Sequence, residues 1–186
     1  MKTIIIGRTS VSVLAGDITV WSGDIIVNAA NSGLLGGTGV DGAIHRAGGP
    51  EIMEQCKEIR KLQGGCPPGH AVITSAGNLD VKHVIHTVGP IWEGGGHGEE
   101  LVLAECYRSS LQLANEVGAS SIAFPNISTG IYGYPKAPAC DIALKAVTEY
   151  LREDQADNRL ERVDFICFDT ENAELYANRL DRYALG

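Results

Sequence analysis

Asp41 is the one acid in the run Gly36-Gly37-Thr38-Gly39-Val40-Asp41-Gly42-Ala43-Ile44-His45, where five of ten residues carry no side chain or only a methyl group. Such a segment lets backbone N–H groups approach a ligand closely, at a cost in chain entropy. Its chemistry reads as a backbone cradle for a phosphorylated ligand, with Asp41 beside the bond to be broken. A second small-residue run, Asn126-Ile127-Ser128-Thr129-Gly130-Ile131-Tyr132-Gly133-Tyr134-Pro135, lies between a strand-like segment and a helical one. Its N–H groups from Ser128 to Tyr132 suit a pyrophosphate. Lys and Arg are absent from Asn126 to Tyr134, which fits recognition by backbone alone.

Asp41 also has a structural reading, as N-cap of a helix beginning at about Gly42. The two roles pull apart. A helix N-terminus favours the carboxylate anion, whereas a strong general base must take a proton readily. Asp41 is therefore expected to orient and polarise a water, with a substrate phosphate sharing the task. Asn31 offers a donor and an acceptor for sugar hydroxyls, and Asn28 is expected to bond loop backbone from within. His45, one helical turn after Asp41, reads as structural. His83 and His86, three apart on a strand, point to opposite faces and cannot share a metal.

Several chemistries are excluded. Gly37 to Gly42 formally matches G-x-G-x-x-G, but Asn31 to Leu35 separate it from the preceding strand, which removes the dinucleotide fingerprint. No P-loop pattern and no G-x-S-x-G around Ser128 occurs. The five cysteines form no C-x-x-C pair and none lies beside the glycine loops, so a disulfide framework, a zinc site and a thiol nucleophile are not expected. The formal charge of −8, from 15 Lys plus Arg against 23 Asp plus Glu, disfavours a nucleic-acid partner bound by a broad basic face. The first residues hold too short an apolar run for a signal peptide, and no run is long enough to span a membrane, so a cytoplasmic protein is expected.

The elements that must position these residues alternate. Strands are expected at Ile4 to Ile6, Val11 to Leu14, Asp24 to Asn28, His70 to Ser75, His83 to Val88, Ser120 to Phe124 and Val163 to Phe168. Helices are expected from about Gly42, from Pro50 to about Leu62, over Glu99 to Val117, after Pro135 to about Leu151, and over Glu171 to Leu180. Gly89 to Gly98 reads as a mobile loop. The pattern predicts one α/β domain over 1–186: a mostly parallel sheet covered on both faces, with both glycine loops and Asp169 on the rim at the strands' carboxyl ends.

The motifs together resemble the macrodomains of the MacroD type. The matching residues are Gly16-Asp17-Ile18, Val27-Asn28-Ala29-Ala30-Asn31, Gly36 to His45 with Arg46-Ala47-Gly48-Gly49-Pro50, His86-Thr87-Val88-Gly89-Pro90, and Phe124-Pro125 with Ile127 to Pro135. Gly64 to Thr74 and Cys167-Phe168-Asp169-Thr170-Glu171-Asn172-Ala173 are similar to the bacterial O-acetyl-ADP-ribose deacetylase branch. The resemblance implies a three-layer α/β/α sandwich that binds ADP-ribose without metal or cofactor. By motif position, Asp17 accepts from the adenine amino group, the Ile18 N–H contacts the ring and Phe168 stacks on it. Asn31 binds the distal ribose and Asp41 is the catalytic acid residue. Gly39, Val40 and the loop Ser128, Thr129, Gly130, Ile131 and Tyr132 enclose the pyrophosphate, and Tyr132 packs on the distal ribose.

The implied reaction is attack of water on the distal ribose or its acyl group, on O-acetyl-ADP-ribose or on Asp and Glu side chains of mono-ADP-ribosylated proteins. The competing reading is an ADP-ribose reader without turnover, against which Asp41 speaks. Thr38 departs from the family's usual four glycines, and its β-branched side chain is expected to restrict the loop.

Overall fold

Five short apolar runs lie side by side and parallel, buried on both faces, as interior parallel strands require. In the computed structural model, residues 1–153 and 157–184 are described. The strands are β1 Lys2–Ile6, β2 Thr9–Ala15, β3 Ile25–Ala29, β4 Ala71–Ser75, β5 His83–Thr87, β6 Ser121–Phe124 and β7 Arg162–Cys167. They form one sheet in the order β1-β2-β7-β6-β3-β5-β4. β1 and β4 pair antiparallel at the two edges, and every other pairing is parallel.

The helices are α1 Gly39–Gly48, α2 Pro50–Gln63, α3 Glu99–Glu116, α4 Lys136–Arg152 and α5 Thr170–Arg179, with single 3₁₀ turns at Ile18–Val20 and Leu180–Tyr183. The period of two along each strand sorts its side chains between two cores. Ile25, Val27, Ile85, Phe124 and Phe165 pack with Leu103, Tyr107 and Leu111 of α3, with α4, and with Tyr176 of α5. Aromatic rings run through this core: Tyr107 to Phe124 at 5.1 Å and Phe165 to Tyr176 at 5.2 Å. Ile26, Val84, Ala123 and Ile166 face the other way and pack with Ile44 of α1 and with Ile52 and Cys56 of α2. The result is the three-layer sandwich expected from the pattern.

Local boundaries differ from expectation where side chains act at a distance. α1 begins at Gly39, three residues earlier than the apolar pattern suggests, with Thr38 as N-cap. Asp41 is therefore inside the first turn and does not cap the helix. β7 ends at Cys167, leaving Phe168 outside the sheet and 86% exposed. The segment Gly89 to Gly98, expected to be mobile, is tied down. The carboxylate of Glu99 accepts from the backbone N–H groups of Glu93 (3.0 Å), Gly95 (2.9 Å) and His97 (2.6 Å), and Trp92 N–H donates to the carbonyl of Tyr132 (2.8 Å). Burial pushes the Glu99 carboxyl up, but these donors outweigh it and hold it at about 2.

Candidate active site

Four adjacent parallel strands, β2, β7, β6 and β3, end on the same rim of the sheet, and the residues that follow each of them line one cavity of about 740 Å³. Such a crevice beyond the carboxyl ends of the strands is where ligands bind in open α/β sheets. Its lining takes Asp17 and Ile18 after β2, Asn31 after β3, Ser128 to Tyr132 after β6, and Phe168 after β7; Gly37 to Asp41 close one side. All the candidate site residues named from the sequence thus meet in one place.

Two stretches of this cavity's lining carry backbone N–H groups without acceptors. The first-turn N–H groups of a helix have no intrahelical acceptor, and Thr38 makes no side-chain cap bond to those of α1. Gly39 and Val40 line the cavity. Opposite, Ser128 adopts a left-handed backbone (φ 66°), which turns the chain at the start of the second loop. Its hydroxyl donates to the carbonyl of Pro90 at 2.8 Å and so points away from any nucleophilic role. Among the described residues the N–H groups of Thr129, Gly130, Ile131 and Tyr132 meet no acceptor. Uncapped N–H groups at a helix start, facing a second N–H array, make an anion site. The cavity also takes in Arg46 and Lys136, two cations the sequence reading did not place there. Lys136 is paired with Glu171 at 3.0 Å and with Asp169 at 3.6 Å.

At the other end, Asp17 Oδ1 accepts from the N–H (2.9 Å) and the hydroxyl (2.7 Å) of Thr19, capping the 3₁₀ turn. Trp21 braces that turn on β7: its Nε1–H donates to Asp164 at 2.9 Å, and Arg162 sits 4.6 Å over its ring. Asp169 caps α5 by accepting from Asn172 N–H at 2.7 Å, which places Phe168 at the cavity mouth.

Asp41 is 6% exposed. Asn28 Nδ2 donates to its Oδ1 at 2.7 Å, and His45 Nε2 lies 3.3 Å from the same oxygen. Oδ2 lies toward Gly37, where a methyl group in place of hydrogen would stand 3.3 Å from it. Gly42 allows this turn of chain: a Cβ there would meet the Gly37 carbonyl oxygen at 2.5 Å. Thr38, by contrast, sits in extended backbone (φ −104°, ψ −175°), which β-branched residues favour, so it puts no strain on the loop.

Asn28 differs from its expected part, and Asn31 has a second one beside the expected. Asn28 does not bond loop backbone; it holds Asp41 and also meets His86 Nδ1 at 3.0 Å. Asn31, read as a sugar ligand, lines the cavity while its own amide holds the glycine loop, donating to the Gly36 carbonyl (2.9 Å) and accepting from Leu35 N–H (2.9 Å). The signal for Asn28 was present in sequence: a polar residue inside an apolar interior strand must find a buried partner.

His45, Cys56 and His86 bring one ligand atom each within 4.8 Å of one another, a cluster that sequence spacing does not reveal. Both ring nitrogens of His86 are already hydrogen-bonded, to Asn28 and, at 2.9 Å, to Thr74, so coordination would break one of these bonds. Burial, with the Asp41 charge adding, pushes the Cys56 thiol up to about 11, far from a thiolate nucleophile at neutral pH.

A three-layer sandwich whose parallel strand ends open onto one crevice, lined by two small-residue loops and one anchored acid, has the architecture of a ligand-binding α/β protein. The chain belongs to the macrodomain family: the Macro domain model matches residues 27–143. It is 54% identical over 173 residues to an O-acetyl-ADP-ribose deacetylase of Escherichia fergusonii, covering 93% of this chain and 96% of that one. It superposes on an Oceanobacillus iheyensis macrodomain with ADP at a TM-score of 0.91, with 41% identity over 97% of this chain and 95% of the other. A Trypanosoma brucei macrodomain in complex with ADP-ribose gives 0.81, at 39% identity over 90% of this chain and 68% of its own.

Proposed function

We propose that this chain is a hydrolase that binds ADP-ribose and deacetylates O-acetyl-ADP-ribose. The observation that carries the reading is the division of labour at Asp41: Oδ1 is held by Asn28, while Oδ2 lies toward the glycine loop of a cavity built to hold phosphates. The relatives named O-acetyl-ADP-ribose deacetylase and the macrodomain structures with ADP and ADP-ribose support the same ligand and reaction.

In this reading the pyrophosphate lies between the start of α1 and the Ser128 to Tyr132 loop. Phe168, Asp17 and the Ile18 N–H take the adenine, and Asn31 and Tyr132 the distal ribose. Asp41 Oδ2 holds and polarises a water, which attacks the acyl carbon. The ester C–O bond breaks, the departing ribose oxygen takes one of the water's protons and the other is lost to solvent, and acetate and ADP-ribose are released. A positioned carboxylate of this kind contributes about 10²–10⁴ in rate.

The same site is proposed to remove mono-ADP-ribose from Asp and Glu side chains of proteins. That bond is also an ester of the distal ribose, and the stretch Gly37-Thr38-Gly39 beside Asp41 is exposed, which suits a larger acyl group, the protein side chain. The test is turnover of O-acetyl-ADP-ribose and of a Glu-ADP-ribosylated protein side by side. Release of ADP-ribose from both supports both activities; release from the metabolite alone restricts the enzyme to it. Tight ADP-ribose binding with neither turnover would make the chain a reader module instead.

A further inference from the structure

Asp41 Oδ1 is held by an amide that is itself held. Asn28 of β3 and His86 of β5 are direct partners in the parallel ladder, so the sheet register places their side chains together on the α1 and α2 face. Thr74 of β4 lies beyond His86 on that face. The proton positions along this line follow from the donors and acceptors present. Thr74 Oγ1 gives its only proton to the Ser75 carbonyl at 2.9 Å. It can then only accept from His86, at 2.9 Å, so the His86 proton is on Nε2. Nδ1 keeps its lone pair and accepts from Asn28 Nδ2 at 3.0 Å. The two protons of that amide nitrogen go to His86 and to Asp41. A flipped amide would set Asn28 Oδ1 against both the carboxylate and the His86 lone pair. Asn28 Oδ1 is instead buried without a partner, the less unfavourable of the two arrangements.

We propose that His86, set by Thr74, is a positioning residue for the reaction, acting through Asn28 to direct Asp41 Oδ2 at the attacking water. The line Thr74, His86, Asn28, Asp41 crosses three strands and ends at Asp41 Oδ1, which His45 Nε2 also approaches at 3.3 Å, so that Oδ2 is left to the cavity. This rests on the hydrolase reading above. His86 is fully buried and is not among the residues that line the cavity.

The test compares His86→Leu, which removes the acceptor for Asn28, with His86→Asn, whose side-chain oxygen can take the place of Nδ1. Thr74→Val, nearly isosteric, loosens the His86 tautomer without touching Asn28. With O-acetyl-ADP-ribose, kcat of His86→Leu should fall on the order of 10- to 100-fold, the penalty for a slightly misplaced reacting group. Kd for ADP-ribose should stay within about threefold, because the loss belongs to the transition state. His86→Asn should recover most of the loss, and Thr74→Val should lower kcat by a smaller factor. In the wild-type chain, ¹⁵N spectra should show His86 protonated at Nε2 alone. Wild-type kcat in His86→Leu, equal losses of kcat and ADP-ribose affinity in both His86 variants, or a proton on Nδ1 would each overturn the proposal while leaving the hydrolase reading intact. If His86→Leu does not fold, unchanged kcat in Thr74→Val together with a proton on Nδ1 overturns it. A wild-type chain that turns over no ester removes the hydrolase reading, and the positioning role with it.

Discussion

Asn28 donates to Oδ1 of Asp41 at 2.7 Å, so one carboxylate oxygen belongs to the fold and the other to the cavity. Asp41→Asn can keep the Asn28 bond through its amide oxygen but presents no carboxylate to water. Its turnover should fall about 10²–10⁴-fold, with ADP-ribose affinity and melting temperature near wild type. Asp41→Ala should lose turnover equally and also be less stable by about 1–3 kcal/mol, because the buried Asn28 donor loses its acceptor. Steady-state kinetics, calorimetric titration and melting curves on the two variants check this. Normal turnover in Asp41→Ala would remove Asp41 from the mechanism.

Asp17 does two things at once: it caps the turn through Thr19 and, in the proposed pose, accepts from the adenine amino group. Asp17→Asn can keep the cap, since Asn caps well, but gains an amide group where an acceptor is needed. Affinity for ADP-ribose should weaken by about 1–3 kcal/mol, and the preference for adenine over hypoxanthine should shrink. Titration of the variant with both nucleotides decides it; an undiminished adenine preference would refute the assignment.

Gly→Ala inside a helix ordinarily stabilises by about 1 kcal/mol. Gly42→Ala should do the reverse, since its Cβ would meet the Gly37 carbonyl oxygen at 2.5 Å. A destabilisation of about 1–3 kcal/mol is expected, typical of overpacking, along with reduced kcat as the glycine loop shifts from Asp41. Denaturant unfolding measures the first and turnover the second. A more stable, fully active variant would contradict the loop geometry.

Acid should destabilise the protein in two stages. Burial holds His86 neutral, with its pKa lowered from 6.5 to about 4; His45 adds to this and Asp41 opposes it. The unfolded chain therefore takes up this proton first. The His86 contribution is full above 6.5, falls as pH drops toward about 4, and is constant below that; it amounts to roughly 3 kcal/mol. Glu99 acts at lower pH: its stabilisation is present above 4.5 and is lost as pH falls toward about 2. Melting temperatures from pH 7 to 3 should fall less steeply between 6.5 and 4 in His86→Asn than in wild type.

Much of this molecule was legible along the chain. The short apolar runs of β3 and β6, the periodic face of α3 and the two small-residue loops are local patterns, and local patterns place strands, helices and the rim they share. Asp41 stood out because it is the lone acid among glycines. The sequence did not disclose where α1 begins, since Gly39 and Val40 are helical only because the tertiary fold turns the glycine loop there and leaves their N–H groups free. Nor did it disclose the parts of the two asparagines. Asn28 and Asn31 have the same side chain in the same motif, and only strand register sets one against His86 and Asp41 and leaves the other beyond the sheet with the loop. Thr74 and His86 come together across a β4–β5 pairing twelve residues apart in sequence, and Asn28 joins them from β3. A hydrogen bond needs distance and direction to about an ångström, and across separate strands those exist only once the sheet has formed.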